Sequence, residues 1–320
     1  MRILVTGGAG FIGSNFIKYI LKKYPTYRVV NIDKLTYAGN LDNLREVAKQ
    51  KSYRFVRVDI NDAVVVDNWM AQADAVVHFA AETHVDRSIK DSQNFIRTNV
   101  HGTHVLLAAA LRRKIKRFVH ISTDEVYGSR KTGYFKETDS LNPSSPYSAS
   151  KAASDLLARS FFITFDLPVM ITRCSNNFGP NQYPEKVIPL FVTNLLEGKK
   201  VPLYAKGQNI RDWIYVEDHC RGVDVVLHKG KAGEIYNIAG ENYRTNIVLT
   251  EKILAYMDQP KTMIQRVTDR PGHDFRYAID CAKIRKLGYR PKVSFDEGLK
   301  KTVAWYKNNE RWWKKLKAAS

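Results

Sequence analysis

Tyr147 and Lys151 stand four residues apart, a spacing at which two side chains can share a reaction. Pro143-Ser144-Ser145-Pro146 just before them reads as a helix entry with proline in its first turn. The pair then falls on one helical face, about one turn apart. A free phenol ionises near pH ~10, too high for a base at neutrality. A neighbouring ammonium favours the phenolate, and a drop of about three units takes roughly 4 kcal/mol of differential stabilisation. Upstream, Ser122-Thr123-Asp124-Glu125-Val126-Tyr127-Gly128 sets a hydroxyl beside two consecutive carboxyls. These residues are good helix caps. They are also an acid and a base, provided that their environments differ, and their titrations are then coupled.

What the pair acts with is written at the other end of the chain. Thr6-Gly7-Gly8-Ala9-Gly10-Phe11-Ile12-Gly13 follows an apolar run and opens a helical pattern. Gly7 permits a tight turn, Gly10 lets the backbone approach a pyrophosphate, and Gly13 lets helix and strand pack closely. The helix N-terminus offers N–H groups and a positive dipole end to the phosphates. Asp33, twenty residues past Gly13, ends the second strand where a carboxylate receives the adenosine ribose hydroxyls. It repels the extra phosphate of NADP and favours NAD, with Lys34 beside it as the one local feature working the other way. Asp59-Ile60 is placed for the adenine edge, and Phe79-Ala80-Ala81 is small enough for a cofactor to lie against its backbone. With NAD in place, its positive nicotinamide also favours the Tyr147 phenolate, and Lys151 can hold the nicotinamide ribose.

The elements that must position these groups follow from periodicity. Apolar, β-branched runs at 3–6, 29–33, 55–59, 75–80, 118–122 and 169–174 predict strands, with helices over 13–24, 94–113 and 147–165. Continuous apolar strands alternating with helices predict a doubly wound parallel Rossmann sheet, an α/β fold. After about residue 175 the elements shorten, and Pro180, Pro184, Pro189 and Pro202 break the rhythm. The expected division is a Rossmann domain over 1–175 and a smaller α/β lobe over 176–320, with some chain returning to the first.

Composition narrows the class. The 320 residues are 44% hydrophobic and 26% charged, the balance of a soluble globular protein. No run reaches the ~20 apolar residues that span a bilayer, and the N-terminus reads as a buried strand rather than a leader. Three cysteines without zinc or disulfide spacing point to a reducing cytoplasm. The net charge of +19 could serve nucleic acid or an anionic membrane, but the basic residues are scattered. The densest group, residues 311–317, reads as a solvated terminal helix with aromatic anchors. No nucleic-acid motif is present, and His101 and His104 lack the partners of a metal site. The expectation is therefore no nucleic acid, no membrane and no metal. Arg211, in Asn209-Ile210-Arg211-Asp212-Trp213, and Arg270, in Asp269-Arg270-Pro271-Gly272-His273, are suited to bidentate pairing with a diphosphate.

These stretches carry a wider likeness, together with Asp33-Lys34-Leu35-Thr36-Tyr37-Ala38-Gly39-Asn40 and Ala80-Ala81-Glu82-Thr83-His84-Val85-Asp86-Arg87-Ser88. The chain resembles the extended short-chain dehydrogenase/reductase superfamily and, within it, the dTDP-glucose 4,6-dehydratase family, from the glycine loop to Trp305-Tyr306. The Thr-Asp-Glu triplet separates that family from related epimerases. Thr83 stands where the family usually has serine and keeps the hydroxyl.

The resemblance implies a lyase that converts dTDP-glucose to dTDP-4-keto-6-deoxyglucose on tightly bound NAD, regenerated in each turnover. Thr123 is then hydrogen-bonded to sugar O4 while Tyr147 removes the 4-hydroxyl proton and hydride leaves C4. Glu125 takes the C5 proton, and protonated Asp124 gives its proton to the departing 6-hydroxyl. Hydride returns to C6, and Tyr147 reprotonates the product. The likeness adds Lys34, Leu35, Thr36, Thr83, Thr98 and Asn177 to the cofactor residues. It assigns Glu82, Asn176, Lys186, Val187, Pro202, Leu203, Tyr204, Asn246, Asp269 and His273 to the sugar nucleotide, beside Arg211 and Arg270, and makes the second lobe mainly its binding site. Family members are commonly homodimers through helices such as 98–113 and 147–165. The rival expectations are a dehydratase for UDP- or CDP-glucose, a sugar-nucleotide epimerase, or a basic protein that only senses NAD. The last predicts no turnover and a nucleic-acid affinity that falls steeply with salt.

Overall fold

The computed structural model describes residues 1–269 and 272–318. The first half supplies strands β1 (Arg2–Thr6), β2 (Arg28–Asp33), β3 (Tyr53–Arg57), β4 (Ala75–His78), β5 (Arg117–Thr123) and β6 (Val169–Cys174). The second half supplies β7 (Asn176–Phe178), β8 (Val201–Tyr204), β9 (Ile210–Tyr215), β10 (Ile235–Ile238), β11 (Tyr243–Thr245) and β12 (Ile264–Val267).

Seven strands form one parallel sheet in the order β10-β6-β5-β4-β1-β2-β3. Their side chains alternate between two apolar layers. Ile3 and Val5 pack with Phe16 and Ile20 of the helix Phe11–Lys23 on one face. Leu4 packs with Val66, Leu106 and Phe161 on the other. Burial on both faces is why the strands read as unbroken apolar runs. The strand order reverses between β1 and β4, and in such sheets ligands bind at the carboxyl ends beside that switch.

β10 enters this sheet from the second half of the chain, pairing Ile235–Ile238 with Ile171–Cys174. The helix Val216–Lys229 packs on the same apolar layer as Phe11–Lys23 through Val223, Val226 and Leu227. The helix Ala282–Lys286 joins that layer through Ile284, and a separate lobe is built from the sheet β11-β9-β7, the pair β12-β8 and the helices Val187–Leu196, Asn246–Tyr256, Phe295–Asn308 and Glu310–Ala318. Its core joins Phe178, Phe191, Trp213, Leu249, Phe295 and Trp313.

Three local expectations shift. β4 stops at His78, which leaves Phe79–Ala81 as loop, and β3 stops at Arg57, which leaves Asp59 two residues beyond it. The helix expected over 94–113 is interrupted by a π-helical stretch, Ile96–Gly102, before Thr103–Arg112. Such wide turns often mark functional positions. Here the stretch carries Asn99: its Oδ1 accepts the Glu82 N–H at 2.8 Å, and its Nδ2 donates to the Glu82 carbonyl at 3.0 Å and to Ser150 Oγ at 2.9 Å. The terminal helix, Glu310–Ala318, is present, but Trp313 is buried in the lobe core, its indole N–H donating to the Tyr306 carbonyl at 2.9 Å. Trp313→Ala is expected to cost about 3–5 kcal/mol of stability. Thermal or denaturant melting checks this, and an unchanged midpoint would mean that the helix is dispensable.

Candidate active site

A cleft of about 310 Å³ opens along the carboxyl edge of the large sheet and reaches toward the second lobe. At its floor, Gly7 has φ +69°, and a Cβ there would lie 2.5 Å from the Ala80 nitrogen. A Cβ on Gly13 would lie 2.4 Å from the Gly7 carbonyl oxygen. Gly10 begins the helix Phe11–Lys23 without a capping side chain, and Phe11, Ile12 and Gly13 line the cleft. Only glycine allows this approach of loop, strand and helix end, which fits a pyrophosphate on the helix N-terminus.

The Asp33 carboxylate accepts the Ala9 N–H at 2.9 Å and the Leu35 N–H at 2.8 Å. Burial nonetheless raises its pKa. Leu35, with φ +57°, contributes its backbone here and does not line the cleft. Lys34 places its ammonium 2.8 Å from Asp59. Burial of Asp59 is outweighed by hydrogen bonds from Lys34 and Asn61, which hold its carboxyl below the usual range. Lys34 is therefore spent on Asp59, and the feature that worked against NAD is neutralised locally. Thr36, Ile60, Phe79, Ala80, Ala81, Thr83 and Thr98 complete this end.

At the other end, β5 delivers Thr123 to the cleft, and a 3-10 turn, Asp124–Tyr127, follows. The Thr123 hydroxyl caps the turn by accepting the Glu125 N–H at 3.3 Å and also donates to Asp124 Oδ1 at 3.4 Å. Cap and chemistry are thus the same residues. Asp124 is 2% exposed, and its Oδ2 is buried with no hydrogen-bond partner. Burial first, then the charges of Glu125 and Asp212, push its pKa well above its ordinary value, which favours the protonated form. Glu125 beside it is only partly buried and faces the cleft.

The helix Pro146–Phe165 starts at Ser145, whose hydroxyl accepts the Ser148 N–H at 3.1 Å in a capping box. This sets Tyr147 and Lys151 into the cleft wall. Lys151 is 4% exposed, and its ammonium donates to the Ile121 carbonyl at 2.8 Å. Burial lowers its pKa to about 8. Tyr147 is pushed well above its ordinary value by burial and then by Glu125, with Thr123 acting in the opposite direction. The expected lowering of the phenol therefore has to work against the protein's own carboxylates.

Glu82, Asn176, Asn177 and Lys186 line the cleft, and Lys186 donates to the Thr83 carbonyl at 3.0 Å. Val187, Pro202, Leu203, Tyr204, Arg211, Asn246, Asp269 and His273 do not line it. Several of these gather in the adjoining lobe. His273 Nδ1 is 2.6 Å from Asp269 and its ring meets Tyr204 edge-on, while the Asn246 N–H donates to the Asn209 carbonyl at 3.0 Å. The Arg211 guanidinium, expected on a diphosphate, donates to the Ile210 and Asp274 carbonyls at 2.8 and 2.9 Å and stacks 4.2 Å from the Tyr277 ring. Arg270 lies outside the described residues.

Sequence reasoning passed over Ser175, Gln182 and Glu185, which line the cleft from separate loops. It also gave no role to Asp212, fully buried, with its pKa raised to about 6 by burial. Its place inside Arg211-Asp212-Trp213 was the available hint. Among the described residues, no group of three or more His, Cys, Asp or Glu could hold a metal, and no helix is long and apolar enough to cross a membrane.

Residues 4–302 match the family described as GDP-mannose 4,6 dehydratase. A dTDP-glucose 4,6-dehydratase of Streptomyces niveus is 53% identical over 99% of this chain and 96% of its own length. The crystal structure of DesIV, a dTDP-glucose 4,6-dehydratase from Streptomyces venezuelae with NAD and dTDP bound, superposes with a TM-score of 0.97 at 52% identity, covering 99% of this chain and all of that one. A UDP-glucose 4-epimerase from Thermotoga maritima, solved with UDP-glucose, matches at 0.90 and 29% identity over 97% of this chain and all of the epimerase.

Proposed function

The chain belongs to the dTDP-glucose 4,6-dehydratase family, and from that premise we infer how its own residues convert dTDP-glucose to dTDP-4-keto-6-deoxyglucose. It is a hydro-lyase that uses NAD. The cofactor supplies a hydride acceptor for C4, a hydride donor for C6 and, when oxidised, a positive ring beside Tyr147.

Tyr147 takes the 4-hydroxyl proton, with Lys151 as the cation that favours phenolate and Thr123 holding the sugar oxygen. The C4 ketone acidifies the C5 proton, and Glu125, the more accessible carboxylate, removes it. Asp124 gives its proton to the departing 6-hydroxyl, and water leaves. As hydride returns to C6, Tyr147 gives its proton to C5, and the proton on Glu125 replaces the one that Asp124 gave. The observation that carries this reading is the pair Asp124 and Glu125: adjacent in sequence, one buried with its pKa raised by burial and neighbouring charges, the other partly exposed and facing the cleft. An epimerase needs no such pair. Because the reduced cofactor waits during the elimination, the site must keep water out.

We assign residues 1–175 to the NAD half with the catalytic groups and 176–320 mainly to the nucleotide-sugar lobe. β10 and the helix Val216–Lys229 return to the first. To the nucleoside diphosphate we assign Arg211, Tyr204, Asn246 and His273 of the adjoining lobe, a reading supported by the contact of the His273 ring with Tyr204. The homodimer expected from the family is supported by exposed apolar side chains on the helices assigned to it. Leu156 and Ile163 are 58% and 64% exposed on Pro146–Phe165, and Ile96, 57% exposed, lies just before the other of these helices, 98–113. Three buried free cysteines favour the cytoplasm.

The test is to incubate the purified protein with dTDP-glucose or UDP-glucose without added NAD. The 4-keto-6-deoxy product is expected from dTDP-glucose alone. Product from UDP-glucose at a similar rate would overturn the nucleobase assignment, and a requirement for added NAD would overturn cofactor retention.

A further inference from the structure

The catalytic helix carries an ionisable residue to which the reaction above gives no part. Asp155 follows Lys151 by four residues and Tyr147 by eight, so the three share one helical face. It is 1% exposed and is gripped from two strands. Arg173 on β6 donates Nε–H to its Oδ2 at 2.9 Å, and His120 Nε2 on β5 lies 3.4 Å from its Oδ1. The carbonyl that receives the Lys151 ammonium belongs to Ile121, the residue after His120. Ser154 ties the two together: its hydroxyl donates to the Lys151 carbonyl at 2.8 Å and pairs with His120 at 3.1 Å.

An ammonium 4% exposed is costly unless an anion stands near it. The ionisable groups around it are Asp155 and Tyr147 on its own helix, Cys174 on β6, His120 on β5 and His78 on β4. Burial pushes both histidines below their ordinary range and the Cys174 thiol up to about 12, so all three are neutral at pH ~7. Asp155 differs. Burial is outweighed by Arg173 and His120, which hold its carboxyl at about 2. It is the standing negative charge among these described groups.

We propose that Asp155 is a positioning residue for the oxidation step, the counter-charge that keeps the Lys151 ammonium in the cleft wall at the Ile121 carbonyl. The proposal rests on the Tyr147/Lys151 reading given above. Lys151 loses its proton above its pKa, and the rate falls with it, so the alkaline limb of the pH–rate profile reports this group. Without Asp155 that limb moves to lower pH.

The test compares the holoenzyme with Asp155→Asn and Asp155→Glu. In Asp155→Asn the alkaline limb is expected to fall by about one pH unit or more, with the KM for dTDP-glucose within about twofold. Asp155→Glu is expected to restore most of the shift. Competitive acylation of Lys151, followed by mass spectrometry of its peptide, reads the same change without turnover: a midpoint near pH 8 falls in Asp155→Asn. Asp155→Asn also leaves Arg173 buried without its partner. The double variant Asp155→Asn/Arg173→Met removes both charges, and its limb is expected to move in the same direction by less than in Asp155→Asn, because a cation is lost with the anion. A residue that only supports the fold would cut the rate equally at every pH, and an unmoved alkaline limb in a folded variant would overturn the proposal. A wild-type profile with no alkaline limb would overturn the Lys151 reading itself, and Asp155 with it.

Discussion

Glu125→Gln is expected to stop the reaction between its two halves. The substitution keeps the volume and the polar outline of the side chain but removes the carboxylate to which we assign the C5 proton. Oxidation at C4 continues, so reduced-nicotinamide absorbance rises on adding dTDP-glucose and stays up. Dehydration falls by about 10²–10⁴-fold, the usual contribution of a positioned general base. Exchange of the C5 hydrogen with deuterated solvent falls in parallel, while NAD remains bound. A second consequence follows from the coupling of the two carboxyls. Glu125 is the largest cause after burial of the raised Asp124 pKa. Its loss makes Asp124 easier to ionise, so Glu125→Gln and Asp124→Asn are expected to combine non-additively. If Glu125→Gln dehydrates at the wild-type rate, the elimination has been assigned to the wrong carboxylate.

Tyr147→Phe is expected to fail one step earlier. No reduced cofactor accumulates, because without the phenolate oxygen the 4-hydroxyl keeps its proton and its hydride. The rate loss is again about 10²–10⁴-fold, in kcat rather than in KM. Stability changes little: the ring remains packed edge-on against Phe95 with centroids 6.3 Å apart, and the hydroxyl removed lies at the cleft. The two variants therefore separate the halves of the reaction by one signal, the standing level of reduced nicotinamide. Accumulation of that signal in Tyr147→Phe would refute Tyr147 as the base for C4.

Much of this architecture was legible because it is local. The glycine loop, the apolar strands and the helix entry at Pro146 depend on φ/ψ demands and side-chain periodicity within a few residues of each position. Tyr147 and Lys151 share a face because any helix puts i and i+4 together. Asp33 was readable for the same reason, as the residue that ends a strand beside the loop.

What Asp124 and Lys151 do with their protons was decided elsewhere. A protonated Asp124 depends on burial, on Glu125 and on Asp212, which arrives on β9 some ninety residues later. The Lys151 ammonium stands against Asp155, which is anchored by strands β5 and β6. The π-helical stretch carries Asn99, which bonds Glu82 and Ser150 at once, and Arg211 is held by backbone carbonyls that no spacing announces. Residue types and short spacings determined which groups could react. Dielectric environment and charges from distant strands set the protonation each one holds, and only the folded chain brings those together.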